Sequence, residues 1–160
     1  MRCLTQTALA VAFVVLCVPE ARGQGDATEK ARKLAAQQEL KKLEGTWVCV
    51  SAVEGKEKRE FIRGKEARLT IRNESFMLSV DGEFVEKVAI KVDPSKKPKT
   101  VDLTRTEGPE KGDTALGIYE LKGDELKLCI AQRSNQPRPT EFIAGDKSTL
   151  FIFRRVKEKN

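Results

Sequence analysis

Most of the chain alternates between apolar and polar residues over eight short segments. Such alternation is typical of β-strands that have one face in a core and the other in water. The predicted strands cover residues 46–52, 67–72, 75–80, 83–92, 99–104, 114–121, 125–131 and 148–156. Short turns join most of them. Asp81-Gly82 is the strongest hairpin signal, because both residues tolerate the positive φ of a tight turn.

Eight antiparallel strands in sequential order predict an all-β, up-and-down barrel over residues 44–157. Closure is expected because it removes the exposed edges of the sheet. The phase of the alternation assigns large apolar side chains to the lumen. These are Phe76, Phe84, Ile90, Leu103, Leu116, Ile118 and Leu128.

Residues 24–43 predict a single helix in front of the barrel. The segment is rich in good helix formers, and Asp26 with Glu29 resembles a capping box. Its apolar stripe is poor, since Leu34 and Leu43 lie on nearly opposite sides at helical spacing. We therefore expect a loosely docked spacer.

Residues 1–23 have the pattern of a secretory signal. Arg2 precedes an apolar run over residues 8–18, which is too short to span a bilayer, and Ala21-Arg22-Gly23 is a plausible cleavage site. We expect a mature chain that begins near Gln24, lies outside the cytoplasm in the periplasm or the medium, and spans no membrane. Retention as a membrane anchor and lipidation at Cys17 are the alternatives.

The chain contains no histidine, although it has 30 Lys and Arg and 24 Asp and Glu residues. This absence excludes Ser-His-Asp triads, cysteine–histidine pairs and histidine zinc sites. Charges of both signs are interspersed, as in residues 56–60, which is typical of a solvated surface rather than a nucleic-acid-binding stripe. The sequence predicts a monomeric, non-catalytic protein with no cofactor, metal or nucleic-acid partner.

Two cysteines, Cys49 and Cys129, follow the signal segment. Cys49 shares the inward phase of Trp47, whereas Cys129 is out of phase with Leu128. Side chains on opposite faces of a sheet cannot reach disulfide geometry. We expect separate thiols, one of them buried, unless a β-bulge reverses one phase.

Several stretches resemble known proteins. Gly45-x-Trp47 is similar to the opening motif of the lipocalin and fatty-acid-binding superfamily. In that superfamily the Trp lies at the closed end of the barrel, under an Arg from near the chain end. Arg155 is the best match for this Arg, and Arg154 is the alternative. Residues 43–155 resemble more closely a lipocalin-like domain family of exported planctomycete proteins, through residues 43–47, 96–103, 117–121, 126–129 and 138–142. This second resemblance implies a fold and no activity. The Thr-Asp-Tyr motif of true lipocalins is absent.

Polar residues provide the binding candidates. Glu86 shares the inward phase of Val88, so it is either functional, as a contact for a ligand head group or a proton carrier, or structural, as a rim residue near water or the partner of an Arg. Tyr119, Arg138 and Glu141 belong to the family-like stretches and either line one mouth of the barrel or form structural hydrogen bonds. Asp102 belongs to the same group, but its phase is outward.

Three functional hypotheses remain open. The first is an exported barrel that holds a small apolar or amphipathic ligand. The second is a barrel filled by its own side chains, which binds a protein of the cell envelope as an inhibitor or a scaffold. The third, the weakest, is an enzyme that uses a carboxylate such as Glu86. An empty lumen of a few hundred Å³ would favour the first hypothesis, and a pair of close inward carboxylates would favour the third.

Overall fold

One helix and eight strands follow one another along the chain without a crossover. The computed structural model describes residues 24–55 and 65–157, and its first element is the helix α1, Gln24–Leu43. The strands are β1 Gly45–Glu54, β2 Ala67–Arg72, β3 Ser75–Val80, β4 Glu83–Asp93, β5 Lys99–Arg105, β6 Thr114–Lys122, β7 Glu125–Ala131 and β8 Ser148–Arg155. Each strand pairs antiparallel with the next, and β8 pairs with β1. The predicted closed up-and-down barrel after one helix is confirmed.

The strand bounds follow the alternation closely. The predicted ends of β2, β3 and β7 match the observed ones, and those of the other strands differ by one or two residues. The expected signal over residues 1–23 and the charged loop over residues 56–60 lie outside the described residues.

Inward-facing side chains from all eight strands meet in the lumen. Cross-strand partners share a face, as Leu69 with Leu78 and Leu121 with Leu126 do. Burying a large apolar side chain completely contributes about 1.5–3 kcal/mol, so this layer is the main source of stability. Each strand contributes a buried side chain to this layer. In order from β1 to β8, examples are Trp47, Leu69, Phe76, Ile90, Leu103, Tyr119, Leu126 and Phe153.

The helix α1 packs against one end of the barrel through its last turns. Leu40 and Leu43 are buried in the same core as the strands, and Ala36 packs against it. Glu39 is only 4% exposed. The expectation of a loosely docked spacer is therefore wrong for these turns. The sequence pattern failed here because one of the buried helix positions carries a carboxylate, which weakens the apolar stripe.

Two β-bulges change the side-chain phase within strands. In β1 the register shifts between Cys49 and Ser51, so that Val50 is the extra residue and Ala52 turns inward. In the β3–β4 hairpin the register shifts between Leu78 and Ser79. Phe84 is consequently 64% exposed, and its predicted place in the lumen is wrong. A bulge adds one residue to one strand and so reverses the face of everything beyond it.

The predicted phase of β6 is also wrong. Tyr119 pairs with Leu128 and points into the core, whereas Leu116 pairs with Asp102 on the outer face. Ile118 shares that outer face and is buried outside the main core. Residues 132–147, which we call the outer strap, run back over this wall between β7 and β8. Both faces of β6 are therefore covered, and alternation alone could not identify the inner one.

Candidate functional site

The end of the barrel next to α1 is closed by Gly45, Trp47 and Arg155. The Arg155 guanidinium carbon lies 4.0 Å from the centroid of the Trp47 ring. The Trp47 indole nitrogen donates to the Leu43 carbonyl at 2.9 Å. Arg155 donates to the carbonyls of Lys42 at 2.6 Å and Glu44 at 2.5 Å. The last carbonyls of a helix have no partner within it. Trp47 and Arg155 therefore cap α1 as well as plug the barrel.

Gly45 is required by the same arrangement. Its φ of 130° lies in a region that other residues rarely adopt, and a Cβ there would lie 2.8 Å from Arg155 Nη1. The guanidinium has little room to move away, because it is held by two carbonyls and the indole. The geometry of these three residues is structural and leaves no open surface at this end of the lumen.

Glu39 fixes α1 to the barrel wall. Its carboxylate accepts hydrogen bonds from Lys42, at 3.1 Å, and from Lys99 on β5. Burial alone would raise the pKa of Glu39, but the hydrogen bonds from Lys99 and Lys42 outweigh it and hold the pKa below its ordinary value. Glu39 is thus an ionised structural anchor, and no sequence pattern identified it.

Tyr119 lies beside this anchor and not at a mouth of the barrel. It is 2% exposed, and its buried hydroxyl makes no well-formed hydrogen bond among the described residues, although the Glu39 carboxylate lies close enough to act as an acceptor. Burial first, and then the negative charge of Glu39, raise the pKa of Tyr119. The phenol therefore stays neutral at any physiological pH.

The lumen between these residues and the strands is almost full. A cavity inside it, lined by described residues, measures about 10 Å³, roughly the space of one water molecule. The cavity is bordered by apolar side chains of β2, β3, β4, β5 and β7 and by Leu43 of α1. A drug-sized ligand needs a few hundred Å³, so the described lumen is a core rather than a binding site.

Glu86 lies near the opposite end of the barrel and is paired. Arg105 donates from Nε to its carboxylate at 2.7 Å, and the Glu86 side chain is 38% exposed. Arg105 also forms an ion pair with Glu110. Of the two expectations for Glu86, the rim residue paired with an Arg describes this geometry.

The two cysteines are separate, free and buried. Cys49 donates to the Ser51 carbonyl at 3.4 Å, and burial raises its pKa to about 11. Cys129 points outward as predicted, but its expected exposure is wrong. The outer strap covers it, and its thiol donates to the Ile143 carbonyl at 3.6 Å. Burial raises the pKa of Cys129 as well.

Arg138 fastens the outer strap to the barrel wall. Its Nη1 donates to the carbonyls of Val101 at 2.9 Å and Gly117 at 2.6 Å, and its Nη2 pairs with Asp102 at 2.6 Å. These three acceptors belong to the neighbouring strands β5 and β6. A planar guanidinium is suited to such fixed multiple contacts. Arg138 therefore determines where the following strap residues lie.

An open groove of about 520 Å³ lies beside this fastening, on the outside of the barrel. We call it the outer groove. The β4–β5 loop forms one wall and the strap forms the other, while β4, β5 and β6 supply the floor. The lining residues are Lys91, Val92, Asp93, Lys96, Lys97, Pro98, Thr100, Asp102, Ile118, Arg138, Pro139 and Thr140.

The predicted mouth residues do not meet. Tyr119 is buried near α1, Arg138 lies on the outer wall, and Glu141 is exposed on the strap. Of the two alternatives for these residues, a shared mouth does not describe the geometry, whereas structural hydrogen bonding does describe Arg138. Sequence reasoning missed the outer groove because loops that are distant along the chain build it. Its one visible signal was the basic, proline-containing run over residues 96–99.

Within the described ranges, no group of three or more metal-binding side chains is found, and no helix is long and apolar enough to cross a membrane. Searches of family models, curated proteins and solved structures found no significant match to this chain.

Proposed function

We propose that the protein is an exported, non-catalytic interaction module in which the barrel is a solid scaffold and the partner binds in the outer groove. The contrast between a lumen cavity of about 10 Å³ and an external groove of about 520 Å³ carries this proposal. A site that is already concave and open requires no rearrangement of the core before a partner can bind.

The closed end supports this choice over a ligand in the lumen. Trp47, Arg155 and the last turns of α1 fill that end, and Phe151 and Phe153 stack with ring centroids 5.9 Å apart. Opening the lumen would separate tightly packed groups, which costs several kcal/mol for each large side chain displaced. The resemblance to lipocalin-like exported domains supports a barrel, and we propose that the chain belongs to that family.

The distribution of carboxylates supports a non-catalytic role. Glu39 is the only charged residue among the buried residues of the described chain. It is ionised and bound by two lysines, so its carboxylate is occupied. Proton transfer by a carboxylate needs a pKa near the working pH, and the low pKa of Glu39 is the opposite of that requirement.

Peptides selected from a displayed random library on the immobilised protein test where partners bind. The variant Thr140→Trp places a large ring in the outer groove, and Asn135→Trp places the same ring elsewhere on the strap. We expect Thr140→Trp to abolish binding of the selected peptides and Asn135→Trp to preserve it. Circular dichroism checks that both variants are folded.

A fluorescent fatty acid is the probe for the competing site in the lumen. We expect no saturable binding to the wild-type protein, because the cavity is far too small. Saturable fatty-acid binding, or selected peptides that bind the Thr140→Trp variant as well as the wild type, would overturn the proposal.

A further inference from the structure

The outer groove has an unbalanced positive charge. Lys91, Lys96 and Lys97 are exposed and form no ion pair within the described part of the chain. The two groove carboxylates are occupied: Asp102 by Arg138 at 2.6 Å, and Asp93 by the Ser95 backbone nitrogen at 3.0 Å and hydroxyl at 2.6 Å. Lys96 and Lys91 have only weaker charge interactions, with Asp93 and Glu29 respectively, so all three lysines can still contact a ligand.

The positive charge is spread along the groove. Lys91 lies on β4, whereas Lys96 and Lys97 lie in the loop that follows it. Arg32 of α1 and Lys96 both help to lower the pKa of Asp93, after the larger effect of the Ser95 hydroxyl, so a further cation stands close by. Several separated ammonium groups fit a ligand whose negative charges are spaced along a chain better than they fit one compact anion.

The groove presents polar and charged groups together with a few apolar side chains. Lys91, Thr100 and Asp102 share the outer face of the floor with Ile118, while Pro98 belongs to the β4–β5 loop and Pro139 and Thr140 belong to the strap. None of the described residues that line the groove is aromatic, so they offer no stacking surface for a base or a sugar ring. An extended peptide alternates its side chains, so that apolar residues can contact Pro98 and Pro139 while acidic ones reach the lysines.

We infer that the outer groove binds an acidic, extended segment of a partner protein, with Lys91, Lys96 and Lys97 as its charge contacts and Arg138 as the positioning residue of the strap. This inference rests on the proposed function and adds the chemistry of the partner. A membrane surface is disfavoured because the groove is concave, and a flat bilayer cannot follow its floor.

Fluorescence anisotropy with a labelled peptide of alternating Glu and Val tests the inference. The variant Lys96→Glu/Lys97→Glu reverses the groove charge. The matched control Lys111→Glu/Lys147→Glu makes the same change in net charge at exposed lysines near the other end of the barrel. We expect the groove variant to weaken binding at least about tenfold, and the control to change it less than about threefold, because short-range charge contacts matter more than net charge.

The variant Arg138→Lys distinguishes the effect of the strap's position on peptide affinity from the effect of the positive charge. It keeps the positive charge but cannot hold two carbonyls and a carboxylate at once, so we expect weaker peptide binding at an unchanged net charge. A peptide of alternating Gln and Val should bind poorly to the wild-type protein. Inorganic phosphate should compete only at concentrations at which sodium chloride of equal ionic strength also competes.

Three results would overturn the inference. The first is an equal loss of peptide affinity in the groove and control variants, and the second is equal affinity of the wild-type protein for the Gln and Glu peptides. The third is binding to anionic phosphatidylglycerol vesicles that is stronger than binding to the Glu peptide and is abolished in the groove variant. The proposed function can survive such a result. Suppose that the selected library peptides lack acidic residues but that Thr140→Trp still abolishes their binding. This result would support the outer groove as the binding site and refute only the acidic character of its partner.

Discussion

Arg155 connects the helix to the first and last strands of the barrel. It caps the carbonyls of Lys42 and Glu44, covers the Trp47 ring, and pairs with Trp47 across the β1–β8 register. A cation over an indole contributes about 0.5–2 kcal/mol, and hydrogen bonds from a charged donor contribute about 1.5–3 kcal/mol. These interactions share one side chain, so their free energies are coupled.

A double-mutant cycle measures this coupling. We expect Trp47→Ala to destabilise the protein by about 3–5 kcal/mol and Arg155→Ala by about 2–3 kcal/mol, from urea unfolding. The double variant should lose less than the sum, by at least about 0.5 kcal/mol, because either change alone already breaks the contact. Strict additivity would contradict the contact.

Gly45→Ala gives a second, independent cycle. The backbone strain at positive φ costs about 1–3 kcal/mol, and the new Cβ also meets Arg155 Nη1. In the Arg155→Ala background the steric part disappears while the backbone part remains. We therefore expect Gly45→Ala to cost less there than in the wild type. An equal cost in both backgrounds would mean that only the backbone matters.

Cys49 predicts a loss of stability at alkaline pH. The pKa of Cys49 in the folded protein, about 11, exceeds that of an exposed thiol, so folding favours the neutral thiol. The contribution of this thiol to the free energy of unfolding is complete at pH values below the ordinary thiol pKa. It is lost as the pH rises towards about 11, because the unfolded chain ionises first. In guanidinium unfolding across this range, Cys49→Ser should lose less stability with rising pH than the wild type does, although its stability at neutral pH is lower. Parallel slopes would contradict this.

Among the elements, α1 divides into two parts with different roles. Residues 27–35 are exposed, whereas Glu39, Leu40 and Leu43 are buried against the barrel. The helix therefore acts as a lid through its last two turns, whereas its first turns are exposed and interact with β4 through charges, Glu29 with Lys91 and Arg32 with Asp93.

Shortening α1 and altering its buried turn should have unequal effects. Deleting residues 24–34 should change stability by less than about 1 kcal/mol, since this part buries little surface. Leu40→Ala should cost about 2–4 kcal/mol through the cavity that it leaves. Thermal denaturation distinguishes the two. A severe loss from the deletion, or none from Leu40→Ala, would show that the first turns rather than the last hold the helix in place.

The sequence was most informative where one face of a strand is wet. The ends of β2, β3 and β7 could be predicted because turn residues bound these strands, Asn73-Glu74 between β2 and β3, Asp81-Gly82 after β3 and Gly123-Asp124 before β7. Phe84 was misplaced because a bulge leaves no mark in the pattern, and Ile118 because the outer strap buries the second face of β6. Glu39 was missed because a prediction from helical periodicity assigns carboxylates to the exposed face of a helix. The outer groove depends on loop positions, which no local pattern determines.

At the scale of the whole molecule, the barrel is closed and the lumen is full, which suits a rigid scaffold. Rigid walls keep the two sides of the outer groove at a fixed separation, with Arg138 as the fastening. The conformational free-energy cost of binding then comes mainly from ordering the partner.

Export is the remaining expectation at this scale. We expect protein recovered from outside the cytoplasm of an expressing bacterium to begin near Gln24, as the pattern over residues 1–23 implies. Intact-mass analysis of the recovered chain measures this directly. An exported protein that retains Met1 would contradict cleavage, and a mass consistent with acyl chains on Cys17 would favour the lipoprotein alternative.

The pairing of Trp47 with Arg155 places the entry to β1 and the exit from β8 side by side. A load applied between residues 43 and 157 would thus pull across the β1–β8 seam, nearly along its hydrogen bonds. Bonds loaded in this way break one pair after another, whereas strands pulled lengthwise must break them together. The barrel should therefore be mechanically weak in this direction, with the hydrogen bonds from Arg155 to α1 as the first barrier, and stronger when the load is applied lengthwise along the strands.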